Sequence, residues 1–456
     1  MAVDSGDTAF IVFSSALVLL MTPGLAMFYG GLVRHKSVCA MLAQNFISAG
    51  VVSLLWAVFL FSLCFGESLD SRGMSIGDIR TYLNLENVDS FQPKLPNGEP
   101  AQISGLCYAM YQCMFAVITP ALMTGAFADR MRFFPWLVFL ISWMVLVYAP
   151  WCHQLWGGGY LSTLGIVDFA GGIVVHTTAG FSALAAIVVL GVRHVPPGLS
   201  LDDLNVAHNV PLMFTGTALL WFGWFGFNGG SAVSASSVAT YAAWNTQIAA
   251  SGAMAGWALL QWLIIGKVGL TPLCVGAVAG LATVTPAAGF VQPGSALFIG
   301  IIAAFWCFAC VAFLNRTGLD DALDVWGVHG MGGFLGSALV GLMADPAECM
   351  DIAKAPAYCV DPHTVARSSE QFVKQLLAAG GCAIYSFLVT YLLLSLIRLV
   401  LKVRLDDHEQ HNADEVEHGE VAYTQGNEQL FQNFLKQPFL SLDGPPLHLP
   451  PPQEPP

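Results

Sequence analysis

Long, uninterrupted apolar runs constrain this chain more than any single motif. Stretches of about 20 residues pass with almost no charge, enough for a helix to cross a hydrocarbon core about 30 Å thick. Inside lipid every backbone N–H and C=O must be paired within the protein, which leaves helices and closed barrels as the only spanning structures. A barrel would need apolar and polar residues to alternate, and these runs do not alternate. Only 10% of the 456 residues are charged and 55% are hydrophobic, against roughly 25% charged in a soluble domain. The expected fold is an all-α polytopic membrane protein.

The apolar runs fall at about 8–33, 38–65, 103–128, 133–152, 168–192, 208–229, 241–266, 269–287, 295–315, 325–344 and 373–402, which predicts eleven transmembrane helices. The eighth is the weakest, bracketed by Thr271-Pro272 and Thr285-Pro286. Basic residues set the direction. Arg34, Lys36, Arg130, Arg132, Arg193, Lys267 and Arg316 all fall in alternate loops, as do Arg398, Lys402 and Arg404. Cytoplasmic loops carry the excess of Lys and Arg, so the N-terminus is predicted outside and the C-terminus inside. No basic n-region precedes the first run, and no removable signal peptide is expected.

The net charge of −13 is concentrated at one end, because residues 405–456 hold ten acidic side chains and one lysine. Residues 1–404 therefore read as the transmembrane domain, 405–423 as a cytoplasmic segment, and 424–456 as a disordered proline-rich tail. Nothing in the charge pattern suggests nucleic-acid binding.

Within the apolar body one pattern occurs twice. Asp168-Phe-Ala-Gly-Gly-Ile-Val-Val-His176 and Asp321-Ala-Leu-Asp-Val-Trp-Gly-Val-His329 both read Asp-x7-His, with Gly-Phe following at the same spacing. Eight residues is a little over two helical turns, so Asp and His are expected near one face of each helix. The two copies would enter the membrane from opposite sides. Phe28-Tyr-Gly-Gly31 and Phe227-Asn-Gly-Gly230 echo each other in the same inverted sense. An inverted 5+5 repeat plus a final helix is expected, with its site near the midplane. A histidine in lipid is costly and points to a function. A single one is commonly a core histidine bonded to a carbonyl, but two in matched positions favour a shared pore. Burial disfavours imidazolium, so the pair would offer one donor and one acceptor to a small polar solute.

Asp168 can serve as a helix cap and still favour a cation electrostatically. Asp320, Asp321 and Asp324 read as structural. Tyr111, Phe115, Trp151, Trp156, Trp224 and Phe227 cluster at the outer ends of spans; they form either an ordinary interfacial belt or, with Ser231, a cage for a small cation. Cys307-Phe-Ala-Cys310 lies within an apolar helix and reads as packing rather than metal or redox chemistry. Cys349 and Cys359 share a polar loop and are able to pair in an oxidising compartment.

Over about residues 8–423 the chain resembles the Amt/Mep/Rh ammonium transporter family, on its Amt branch. The resemblance rests on the two Asp-x7-His segments, Tyr111-Gln-Cys-Met-Phe115, Trp156-Gly-Gly-Gly, Trp221-Phe-Gly-Trp224-Phe-Gly-Phe227-Asn-Gly-Gly-Ser231 and Glu417-His-Gly-Glu420. It implies a transporter, not an enzyme, with no cofactor and no metal, that carries ammonium or ammonia and takes methylammonium as an analogue. By resemblance Trp156, Phe115 and Ser231 form an external recruitment site, with Asp168 required near the entrance. Phe115 and Phe227 form a stacked phenyl gate, Trp224 flanks the pore, and His176 and His329 are its twin histidines. Tyr111 stands where some members have phenylalanine. The family implies a homotrimer in the lipid bilayer of the plasma membrane, with a cytoplasmic segment open to a regulatory partner. Three other readings are an ammonium sensor signalling through the tail, an Rh-like neutral gas channel, and a haem enzyme using the histidines as axial ligands. Trp156, Phe115 and Ser231 together argue against the gas channel, and the small residues beside the histidines argue against a wide cofactor.

Overall fold

The computed structural model describes residues 3–96, 98–344 and 367–423. The first helix, α1 (Ser5–Leu32), starts where the Asp4 side chain accepts the Asp7 N–H at 2.8 Å. That bond satisfies one of the donors a helix leaves free at its start. Next come α2 (Val38–Phe65), α3 (Gly105–Met123), α4 (Phe133–Thr163), α5 (Gly172–Leu190) and α6 (Val210–Ala232). They are followed by α7 (Ser237–Ile265), α8 (Leu270–Val284), α9 (Pro293–Thr317), α10 (Trp326–Gly330 continuing into Met331–Met343) and α11 (Ser369–Val400). The described residues contain no strand, only three isolated β-bridges.

Among the described residues nine helices are long and apolar enough to cross a membrane. Of the eleven expected spans, α8 falls short at 15 residues. The other is α10, which opens on a turn carrying His329 before 13 α-helical residues. Four of the helices contain a π-turn, at Trp56–Leu60, Met144–Tyr148, Gly172–Thr177 and Trp326–Gly330. Such turns are uncommon and concentrate at functional sites; the last two carry the paired histidines.

Close packing of small residues holds the bundle together, as expected where lipid supplies no hydrophobic drive between helices. Along α1 and α6 the contacts run Leu17 to Gly226, Met21 to Gly223, Phe28 to Gly216 and Gly31 to Met213, so the two helices are antiparallel. A Cβ on Gly216 would lie 2.1 Å from the Phe28 nitrogen, which leaves room for glycine alone.

At the end of the bundle where α1 and α3 finish, charged groups knit the loops together. Arg130 and Arg193 share the Asp320 carboxylate at 3.0 and 2.8 Å. Arg34 reaches Asp129 at 2.9 Å and the Gln410 carbonyl at 2.6 Å. Residues 405–423 lie on this face. Asp414, in the first turn of the short helix α12 (Ala413–His418), accepts the N–H groups of Val38 and Ala40 at 3.0 and 2.9 Å. Glu417 accepts the Phe133 N–H at 2.7 Å and pairs with Arg132 at 2.8 Å. The helices starting at Val38 and Phe133 have no side-chain cap of their own, so the C-terminal segment caps both. Burial raises the Asp414 carboxyl above its usual range, against the pull of the backbone N–H groups it accepts. The hydrogen bond from Arg132 holds Glu409 below its ordinary value.

Replacing Asp414 with alanine should cost α2 about 1 kcal/mol of local stability, the usual worth of a lost cap. Hydrogen–deuterium exchange should then run roughly fivefold faster at the start of α2 and in residues 405–423. Exchange at the wild-type rate in both places would refute the capping role.

Candidate functional site

Helices α5 and α10 approach closely because glycine stands at each contact. A Cβ on Gly180 would lie 2.1 Å from the Gly330 Cα, and one on Gly333 would lie 2.5 Å from the Gly172 carbonyl oxygen. That approach brings the two π-turns together. His176 Nδ1 and His329 Nδ1 are 3.3 Å apart, with ring centroids 5.3 Å apart and planes inclined by 20°. Both side chains are buried. Two nitrogens of this kind bond only if one carries a proton and the other does not. His176 Nε2 has no hydrogen-bond partner among the described residues. By contrast, His153 bonds the Cys64 carbonyl at 3.0 Å and Ser68 at 2.8 Å, which is the ordinary arrangement for a core histidine.

Asp168 and His176 do not lie on one face of one helix, as their spacing predicts. Gly171 adopts φ 115°, in the left-handed region, and the helix begins only at Gly172. The Asp168 carboxylate folds back over that start. Its Oδ1 accepts the N–H groups of Gly171 and Gly172 at 2.9 and 2.7 Å, and its Oδ2 those of Ile173 and Val174 at 2.8 and 3.0 Å. A carboxylate has about four acceptor positions, so these bonds fill it. What Asp168 has left to offer a cation is its charge. In the second copy Asp321 accepts the Trp326 N–H at 2.7 Å, a cap at the matching position.

Aromatic rings continue from the histidines towards Asp168. Trp224 stacks on His176 at 5.6 Å and 19°, and its indole donates to Thr285 at 2.9 Å. Phe227 is 6.2 Å from His176 and 4.3 Å from Phe115. Phe115 meets Trp156 edge-on at 5.8 Å. The Trp156 indole donates to the Asp168 carbonyl at 2.8 Å. The Ser231 hydroxyl donates to the Phe227 carbonyl at 2.9 Å. The Tyr111 hydroxyl sits 2.9 Å from the carbonyls of Gly226 and Phe227 and 3.3 Å from Ser231, so it braces the end of α6. Trp151 is elsewhere, against Tyr385 at 6.0 Å.

One cavity lies against Trp156 and Ser231, and another lies against Phe227. A cavity of about 470 Å³ is lined by Trp156, Asp168, Ser231, Tyr108 and Gln112, among others. A cavity of about 10 Å³ touches both histidines and is otherwise walled by apolar and aromatic side chains such as Leu25, Ile118, Trp224 and Val278. Aromatic faces, a hydroxyl and a nearby carboxylate suit a small cation in the first. The second is too small and too apolar for a hydrated ion. Sequence reading did not single out Gln112 or Thr285, because a lone Gln or Thr in an apolar helix carries no spacing signal. The cysteines of the Cys307–Cys310 motif are both free thiols, and Cys349 and Cys359 lie outside the described residues. The one metal-like cluster among the described residues, Asp406, His408 and Glu409, lies on the C-terminal segment, where Lys402 and Arg132 pair with its carboxylates.

Asp168→Asn keeps one acceptor oxygen and turns an NH2 group towards two backbone N–H groups. Leaving two buried donors unpaired should cost roughly 2–4 kcal/mol. Thermal melting in detergent should show a clear drop, and a melting point equal to that of the wild type would refute the cap.

The chain is similar to known proteins over most of its length. The model of the Ammonium Transporter Family matches residues 9–423. An ammonium transporter of Bacillus subtilis is 40% identical over 421 residues, covering 92% of this chain and 98% of that one. The ammonium transporter Amt1 of Archaeoglobus fulgidus is 38% identical over 420 residues, covering 92% and 99%. Among solved structures, Mep2 of Saccharomyces cerevisiae matches with a TM-score of 0.81 at 32% identity, over 94% of each chain.

Proposed function

We propose a transport route for this chain, which belongs to the ammonium transporter family. Ammonium leaves water in the larger cavity, where the faces of Trp156 and Phe115 and the Ser231 hydroxyl replace part of its hydration. The charge of Asp168 favours its arrival. A bare cation in the apolar segment beyond would be very costly, so ammonium gives up its proton to water in the larger cavity, before the phenyl pair of Phe115 and Phe227, and the proton stays on that side. Ammonia then moves past Trp224 along His176 and His329, whose shared hydrogen bond can re-form around a small donor and acceptor. Tyr111 braces the carbonyl of the gate residue Phe227.

The observation that carries this reading is the unbroken series of side chains from cavity to imidazoles: Trp156, Phe115, Phe227, His176 and His329, each within 6.2 Å of the next. Around it we infer eleven spans in an inverted 5+5 repeat plus a final helix, with the N-terminus outside and the C-terminus inside. The antiparallel packing of α1 on α6 supports the inversion, as do the matching acid-capped π-turns of α5 and α10. Residues 1–404 form the transport domain, and the segment 405–423 takes a regulatory role, in keeping with its capping of α2 and α4. The assembly proposed is a homotrimer in the plasma membrane.

In proteoliposomes an inward ammonium gradient should raise internal pH as ammonia enters and is reprotonated. Trp156→Leu should raise the half-saturating ammonium concentration about tenfold, the worth of one well-formed cation–π contact; an unaltered concentration dependence would count against the cage. His176→Ala combined with His329→Ala should slow ammonia entry or relax its selectivity over methylammonium. Wild-type rate and selectivity in that double variant would remove the histidines from the route.

A further inference from the structure

The larger cavity holds one polar side chain whose chemistry is unaccounted for. Gln112 is only 6% exposed, and its Oε1 has no hydrogen-bond partner among the described residues. A buried amide oxygen left unpaired is costly, and a residue doing nothing but packing would be served better by leucine or methionine. Its amide lies beside the Tyr108 hydroxyl, and both side chains line the cavity together with Trp156, Ser231 and Asp168.

Helix geometry fixes the face of α3 on which this side chain stands. On α3, residues 108, 112 and 115 follow the spacing that places side chains on one face. The same face continues to Ile118 and Leu122, which line the small cavity beside the histidines. Gln112 is therefore one turn from Phe115, on the side away from the histidines. Phe115 lies 4.3 Å from Phe227 and meets the cavity-lining Trp156 edge-on. The wall opposite is already committed: Asp168 has four N–H donors on its carboxylate, and the Asp168 carbonyl accepts from Trp156. Ser231 gives its hydrogen to Phe227 and retains lone pairs. Among the cavity-lining side chains, Ser231 and Gln112 each carry a neutral oxygen with acceptor capacity left.

We propose that Gln112 is a further substrate-binding residue of the outer cavity, its Oε1 accepting an N–H from the bound ammonium ion. The inference rests on the reading of that cavity as the ammonium site. A neutral acceptor there suits transport, because it replaces a water without adding a charge that would hold the ion back from deprotonation.

The test is the concentration dependence of ammonium-driven alkalinisation in proteoliposomes, with Gln112→Leu, Gln112→Met, Gln112→Glu and Trp156→Leu assayed together. Removing a hydrogen bond to a charged group should raise the half-saturating concentration about tenfold in Gln112→Leu and Gln112→Met, with maximal flux little changed. Gln112→Glu retains an acceptor of the same reach and should saturate at or below the wild-type concentration. Wild-type saturation in Gln112→Leu beside a raised value in Trp156→Leu would overturn the role of Gln112 alone. An unaltered Trp156→Leu would overturn the cavity reading itself. Gln112→Glu saturating as late as Gln112→Leu would make the effect one of shape and overturn the proposal. So would failure of Gln112→Leu and Gln112→Met to reach the membrane while Gln112→Glu behaves as wild type in amount and saturation, since the amide would then serve the core through Tyr108.

Discussion

A helix that starts inside a packed bundle must find acceptors for its first N–H groups, and in this protein carboxylates supply them from outside the helix. Asp168 takes four such groups at the start of α5. Asp321 takes one at the start of α10. Asp414 and Glu417, more than 280 positions away in sequence, serve α2 and α4. Water cannot do this where the surroundings are apolar, and an unpaired donor there costs several kcal/mol. The negative charges also sit at the positive ends of the helix dipoles. Fixing the first turn of α5 and of α10 in turn fixes the rings of His176 and His329, because both histidines lie on those turns. The distance between the imidazoles is thus set by backbone satisfaction and by the Gly180–Gly330 approach, well before any solute enters.

That arrangement divides labour along the proposed route. Charge is welcome on the side of Trp156, Ser231 and Asp168, where ring faces and lone pairs can replace water. On the proposed route it is excluded on the side of the histidines, where the cavity is about 10 Å³ and its walls, those given by His176 and His329 included, present apolar surface. The phenyl pair is the boundary, and its partners show how it is held. Phe227 is anchored by its own carbonyl, which accepts from Tyr111 and Ser231. The tyrosine thereby ties the acceptor side of the cavity to the gate, whereas phenylalanine at this position would leave the end of α6 with one bond fewer.

Much of this was legible in the sequence, for identifiable reasons. Apolar run length announced the helices, because the thickness of a bilayer fixes how long a spanning helix must be. The Asp-x7-His repeat announced that two histidines belonged together, and the structure brings their nitrogens to 3.3 Å. The same repeat misled about Asp168, because a spacing argument assumes a continuous helix. The chain departs from one at Gly171, whose φ of 115° lets the carboxylate turn back. The π-turns were not legible either, since the register shift of one extra residue leaves no mark in helices that are apolar on every face. Gln112 escaped for a different reason. Its significance lies in an oxygen without a partner, and whether a partner exists depends on every neighbouring element at once.

The docking of residues 405–423 follows from the same constraint and gives the segment leverage on the membrane domain. Capping α2 and α4 ties the free energy of two membrane helices to a stretch that carries no apolar span. Arg34 makes the link mechanical, holding Asp129, six residues beyond the end of α3, with one nitrogen and the Gln410 carbonyl with another. Helix α3 carries Gln112 and Phe115 on the face that runs from the larger cavity to the phenyl pair. Lifting the segment would leave N–H groups at Val38, Ala40 and Phe133 without acceptors and Arg34 with one partner fewer. Whatever displaces it must compensate those groups or accept a looser α2, α3 and α4.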